Sequence, residues 1–119
     1  DRKEAKGHGE RSAFLGCEPN ESNKRIVFID DVFTTGDTKY EAIRFVRDKN
    51  PDVEFLAVVI GVDRKEKSPD DEAAIQQFEA RMNIPVHSLI SVDDIMEYLR
   101  TRGDLQYERI EKYLEQYGV

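Results

Sequence analysis

Arg25-Ile26-Val27-Phe28-Ile29-Asp30-Asp31-Val32-Phe33-Thr34-Thr35-Gly36-Asp37-Thr38 joins an apolar run to two adjacent carboxylates and a Thr/Gly loop. A helical pattern starts directly after it. In open parallel sheets, ligands sit outside the carboxyl ends of the strands. Two acids at such an end match ribose hydroxyls or a metal ion. The loop behind them offers backbone N–H groups to a phosphate at a helix N-terminus. Gly36 allows positive φ and close backbone approach. The stretch reads as a ribose-phosphate site. The plain alternative is an acidic strand end and an ordinary turn, with Asp37 or Thr38 as N-cap. Neither G-x-G-x-x-G nor the P-loop pattern is present.

Working outward, residues 25–29 form a strand-length apolar run. Tyr40, Ile43 and Val46 predict a helix over 37–48 with one buried stripe, ended by Asn50-Pro51. Residues 53–62 are apolar and β-branched without clean alternation, the pattern of a strand buried on both faces. Ser68-Pro69-Asp70-Asp71-Glu72 reads as a helix start, with Ile75, Phe78 and Met82 as its apolar face. A third strand is expected over 85–90. Ser91 or Asp93 then caps a helix holding Ile95, Met96 and Leu99. Gly103-Asp104 breaks it, and 105–117 make a last helix with Ile110 and Leu114 inside. Alternating strands and helices imply an α/β fold with a parallel sheet and right-handed crossovers. Residues 1–24 are charged and Gly-containing, and read as a mobile segment and a turn.

A length of 119 residues is one domain with one core. The net charge of −7 argues against a nucleic-acid surface. The single Cys17 excludes an internal disulfide and any multi-cysteine metal site, and is compatible with a reducing cytosol. No apolar run is long enough to span a bilayer, and no signal-peptide pattern is visible, so neither membrane nor export is expected. The chain opens with Asp1 rather than Met, which reads as a fragment or a processed product.

Two further features carry possible chemistry. In Asp1-Arg2-Lys3-Glu4-Ala5-Lys6-Gly7-His8-Gly9-Glu10, positive charge concentrates on an otherwise acidic chain. Its glycines permit the mobility of a lid, although charge runs are most often solvated tails. Arg64 follows Val62-Asp63 at the ligand end of the second long strand, where a guanidinium can hold a carboxylate bidentately. Its bland alternative is a surface ion pair among Asp63, Lys65, Glu66 and Lys67. His87 reads as structural, and Tyr107, Tyr113 and Tyr117 as packing residues.

Taken together, these pieces resemble a known family. Residues 26–38 look like the phosphoribosyl-pyrophosphate (PRPP) signature of type I phosphoribosyltransferases. The segment from Arg2 to Glu10 resembles the mobile catalytic loop of the orotate branch. Val62-Asp63-Arg64-Lys65-Glu66, Ala74-Ile75-Gln76, Ile90-Ser91-Val92-Asp93-Asp94-Ile95 and the ending Tyr117-Gly118-Val119 resemble that branch as well.

The resemblance implies a Rossmann-like phosphoribosyltransferase core over 1–119, with 1–15 as the catalytic loop and 24–119 as the α/β body. It implies transfer of phosphoribose from PRPP to orotate with Mg2+, in pyrimidine biosynthesis in the cytoplasm. Asp30 and Asp31 would contact the ribose hydroxyls. Val32, Phe33, Thr34, Thr35, Gly36, Asp37 and Thr38 would wrap the 5-phosphate, with Thr34 also near orotate. Arg64 would bind orotate, while Arg2, Lys3, Lys6 and His8 close over pyrophosphate, Lys6 and His8 being catalytic. Mg2+ would be held mainly by PRPP, with no direct protein ligand. A homodimer is implied, with the loop acting in the partner's site.

Asp37 departs from the small or hydroxylic residue common at that position. The family's N-terminal half is expected to be missing, which would leave an open sheet edge, a bare apolar face and an inactive isolated piece. Two alternatives stay open: a non-catalytic PRPP-sensing relative, and a phosphoacceptor receiver domain with Asp63 as acceptor.

Overall fold

The computed structural model describes residues 19, 20, 22, 24–67 and 73–119. Three parallel strands form one sheet in the order β1-β2-β3: β1 Arg25–Val32, β2 Glu54–Asp63 and β3 Val86–Ser91. Helices α1 Asp37–Lys49 and α2 Ala74–Met82 make the crossovers, and α3 Val92–Arg102 and α4 Gln106–Tyr117 follow β3. This is the α/β parallel architecture expected from the alternating pattern.

The register decides where the core lies. Phe28 pairs with Val58, and Val58 with Val86, so these side chains share a face. Val58 and Ile60 are fully buried on that face, under Ile43 of α1 and Phe78 of α2. Both crossovers step the same way across the sheet, so right-handed connections place α1 and α2 on the same side. Phe78 is the keystone, with the Phe33 and Tyr40 rings 5.3 and 5.1 Å from its own.

The opposite face is bare among the described residues. Ile29, Val59 and His87 are register partners on it, and Ile29 and Leu89 are 77% and 76% exposed. The expectation that β2 is buried on both faces therefore needs correction, because Ala57 and Val59 are only half-buried. Its missing alternation has a local cause. Ile26 pairs with Phe55 but Val27 pairs with Ala57, so a bulge at Leu56 breaks the two-residue period.

Two boundaries also move. β1 continues through both acids to Val32 instead of stopping at Ile29. α2 starts at Ala74, not at Ser68, and residues 68–72 lie outside the described ones. Elsewhere local chemistry acts as expected. Ser91 Oγ accepts the Asp94 N–H and Asp94 Oδ2 accepts the Ser91 N–H, a capping box that starts α3. Gly103, at φ 63°, ends it. The C-terminus ties back to the segment after β2, through Lys67 N–H to the Tyr117 carbonyl (2.9 Å) and Val119 N–H to the Lys65 carbonyl (2.8 Å).

The two faces predict unequal mutational costs. Phe78→Ala should destabilise the fold by about 3–5 kcal/mol, because it empties a fully closed site. Ile29→Ala on the bare face should cost less than about 1 kcal/mol. Urea denaturation of both variants checks the contrast; equal costs would show that the bare face is covered.

Candidate functional site

β1 carries both acids before the chain turns. Neighbours on a strand point to opposite faces, although at this strand end the two carboxyls still interact and the Asp31 N–H donates to Asp30 Oδ1 at 2.9 Å. Asp30 shares its register with Ile60 and Ser88 on the helix-covered side. There its Oδ2 meets Lys39 Nζ at 2.7 Å. The same ammonium donates to the Val32 carbonyl at 2.6 Å and lies 5.3 Å from the centre of the Phe33 ring. Lys39 is only 4% exposed. A buried cation without a partner is strongly unfavourable, and breaking such a pair typically costs about 3–5 kcal/mol. Asp30 is about a third exposed, which puts this pair toward the lower end. The Lys39 hydrogen bond holds the Asp30 carboxyl below the usual carboxylate range.

Asp31 lacks such a cation. It is exposed, its Oδ1 accepts the Val32 N–H at 2.7 Å, and it has no ion-pair partner among the described residues. Beside it, Gly61 lets β2 approach closely: a Cβ there would lie 3.0 Å from the Asp31 carbonyl oxygen.

The Thr/Gly loop is anchored from below and open above. Phe33 is buried in the core, while Thr34, Thr35, Asp37 and Thr38 are exposed. Gly36 is buried at φ 83°, and a Cβ on it would sit 2.8 Å from the Phe33 ring. Only glycine fits. Gly36 has no side chain to cap α1; the Asp37 N–H reaches Thr35 Oγ1 at 3.4 Å and the Lys39 N–H the Gly36 carbonyl at 2.9 Å, which leaves the Thr38 N–H, with no partner among the described residues, as the first-turn amide open to an anion. Thr35 Oγ1 donates to Asp37 Oδ2 at 2.7 Å, which tethers the one acid inside the loop.

Arg64 follows β2 directly, and the Val32–Val62 register brings that strand end beside the loop. Its Nη2 donates to Glu66 Oε2 at 2.5 Å, and Tyr113 of α4 donates to Glu66 Oε1 at 2.8 Å. Tyr113 is thereby held protonated above its usual range. Tyr113 is more than a packing residue, although its ring does stack on Tyr117 at 4.8 Å. Arg64 Nε is buried with no acceptor among the described residues. A cleft of about 1310 Å³ lies between the end of β2 and α2, lined by Asp63, Lys65, Glu66, Gln76 and Arg81 and, from the loop, by Phe33. Its lining includes none of Asp30, Asp31, Thr34 or Arg64, so the acid pair and loop form a surface site beside it.

Arg2, Lys3, Lys6 and His8 lie outside the described residues, as does Cys17. His87 is exposed on the bare sheet face. Sequence reasoning missed Lys39 and the Tyr113–Glu66 contact; Glu66 itself was named in the bland alternative for Arg64, the surface ion pair that the structure does show. Lys39 did leave a signal: with Ile43 and Val46 it completes the i, i+4, i+7 stripe that faces the core.

Similarity to known proteins agrees with the fold. A family profile described as "Phosphoribosyl transferase" matches residues 3–94. The orotate phosphoribosyltransferase of Acinetobacter baumannii is 34% identical over all of this chain and 54% of its own length. That of Acinetobacter baylyi is 35% identical with the same coverage. The chain thus spans about half the length of the curated relatives it matches. A crystal structure of orotate phosphoribosyltransferase from Francisella tularensis superposes with a TM-score of 0.66 at 29% identity, over 80% of this chain and 47% of that one.

Gly36→Ala should cost about 1–2 kcal/mol from the left-handed backbone alone, more with the Phe33 clash, and should lower the urea midpoint accordingly. Acid should act through Asp30. Its folded value is depressed, so the stability it contributes is complete above the ordinary carboxylate value and is lost as pH falls through the depressed one. Carbon-13 titration should show Asp30 returning to the ordinary range in Lys39→Met, with that part of the acid sensitivity gone.

Proposed function

This chain belongs to the phosphoribosyltransferase family, and from that premise we propose that it forms part of an enzyme moving phosphoribose from PRPP to orotate. The products are orotidine 5-monophosphate and pyrophosphate, in the pyrimidine pathway. One observation carries the site: an exposed carboxylate, Asp31, beside an uncapped helix start, with Arg64 on the next strand end. The names of the relatives supply the acceptor base.

In this reading orotate attacks C1 of PRPP and pyrophosphate departs. The transition state is cationic at the sugar, so the protein needs no nucleophile. Its work is positioning and electrostatic stabilisation. Asp31 takes ribose hydroxyls and places negative charge near the cationic ring. The Thr38 N–H at the start of α1, with the side chains of Thr34, Thr35 and Thr38, holds the 5-phosphate. Arg64, braced by Glu66 and Tyr113, presents its guanidinium to the orotate carboxylate. The basic loop with Lys6 and His8 covers the leaving pyrophosphate, acting from the partner in a homodimer.

Magnesium fits these residues in a limited way. The described residues hold no cluster of three metal-ligating side chains, and Asp30 already pairs with Lys39. Of the acid pair, Asp31 is the one that would help hold an ion carried by substrate phosphates. When bound, that ion would neutralise part of the charge on the leaving group. The receiver-domain alternative lacks support, since family membership points elsewhere and Asp63 Oδ1 already accepts the Lys65 N–H at 2.8 Å.

The full-length protein should consume orotate only when PRPP is present. Arg64→Ala should raise the KM for orotate at least about tenfold, the value of one charged hydrogen-bond pair, while the KM for PRPP moves little. Equal changes in both would make Arg64 structural. No orotate consumption by the unaltered protein would defeat the assignment of the reaction.

A further inference from the structure

Lys39 belongs to none of the roles above. It is the third residue of α1, on the far side of the loop from the strand. Its side chain, 5% exposed, reaches back across the loop to Asp30 Oδ2 at 2.7 Å and the Val32 carbonyl at 2.6 Å. Its backbone N–H also donates to the Gly36 carbonyl at 2.9 Å. One residue after the loop therefore grips two residues before it and one within it. On the ribose-phosphate reading of the site, we propose that Lys39 is a positioning residue: it clasps the phosphate loop closed and engages Asp30, leaving Asp31 as the carboxylate that meets the ribose.

The chemistry favours a lysine there. An ammonium carries three donors and no acceptor. Two of them are used, on one carboxylate and one carbonyl. An apolar side chain would fill the space but leave both oxygens without a donor on the covered side of the sheet. The charge also matters. A free Asp30 carboxylate beneath the loop would repel a bound phosphate, whereas the ion pair is locally neutral. Lys39 is too enclosed to be the phosphate ligand itself. Asp31 Oδ1 accepts the Val32 N–H, and with no cation beside it among the described residues its carboxylate can still accept sugar hydroxyls.

The test uses calorimetry on the full-length protein with two probes, ribose 5-phosphate and inorganic phosphate, in magnesium buffer. Asp31→Asn should weaken ribose 5-phosphate by about tenfold or more and leave phosphate within about twofold. Asp30→Asn and Lys39→Met should weaken both probes by one common factor, because they act through the loop. Combined, those two substitutions should lose no more than the worse of them alone, the non-additivity of residues acting as a unit. A sugar-selective loss in Asp30→Asn would make Asp30 a ribose ligand and overturn the proposal. So would additive losses. Hydrogen exchange at residues 34–38 decides the clasp independently: exchange should quicken in Lys39→Met, and unchanged exchange would refute it. If the unaltered protein binds neither probe, the ribose-phosphate reading fails, and the exchange result still judges the clasp.

Discussion

Two crossovers in the same direction govern this structure. Each joins parallel neighbours, each is right-handed, and so both helices must cover one face of the sheet. From that follow the core and the bare face. β2 is central, and its Val58 and Ile60 are closed off by α1 and α2. All three strands point the same way, so their carboxyl ends form a single edge. The loop after β1 and the segment after β2 meet there, which is where an open parallel sheet offers ligands a place.

The same constraint gives two adjacent aspartates unlike surroundings. Strand geometry turns Asp30 toward α1 and Asp31 away from it. A helix covering one face supplies a buried cation to the first and nothing to the second. Chemically equal side chains thus differ in partner: Asp30 is ion-paired with Lys39, and Asp31 has no cation beside it among the described residues. The division follows from sheet pleat and helix placement, with no special loop conformation needed.

Much of this was legible in the sequence, for reasons that differ from element to element. The apolar run into Asp30-Asp31, the Tyr40/Ile43/Val46 stripe and the Ser91 cap are local signals, and local signals survive folding. β2 misled because a bulge at Leu56 erased its alternation, and one extra residue suffices for that. The start of α2 misled because Ser68-Pro69 carries a cap signature, whereas the helix begins at Ala74. Lys39 was half-visible: a lysine within a buried stripe needs a partner, but the stripe does not say which carboxylate. The Arg64–Glu66 pair was legible as a neighbouring cation and acid, whereas the Tyr113–Glu66 bond was out of reach, since 47 residues separate the two and only the docked C-terminal helix unites them.

On the proposed reading this acidic chain takes an anion, and the site edge offers a way to manage that conflict. With a net charge of −7, long-range attraction cannot bring a phosphate here. Short-range order has to do it. Each acid in or under the loop is restrained: Asp30 by Lys39, Asp37 by the Thr35 hydroxyl. The cations nearby are likewise held by carboxylates, Arg64 by Glu66 and Lys65 by Asp93, the latter bond raising the Lys65 value. What remains for the anion is directional: the Thr38 N–H at the start of α1 and the exposed Thr34 and Thr38 hydroxyls around Gly36. Such donors work at contact distance and are little affected by the screening that weakens a diffuse positive surface. Specificity in this site therefore rests on the geometry of the loop, and the loop's geometry rests on what pins its two ends.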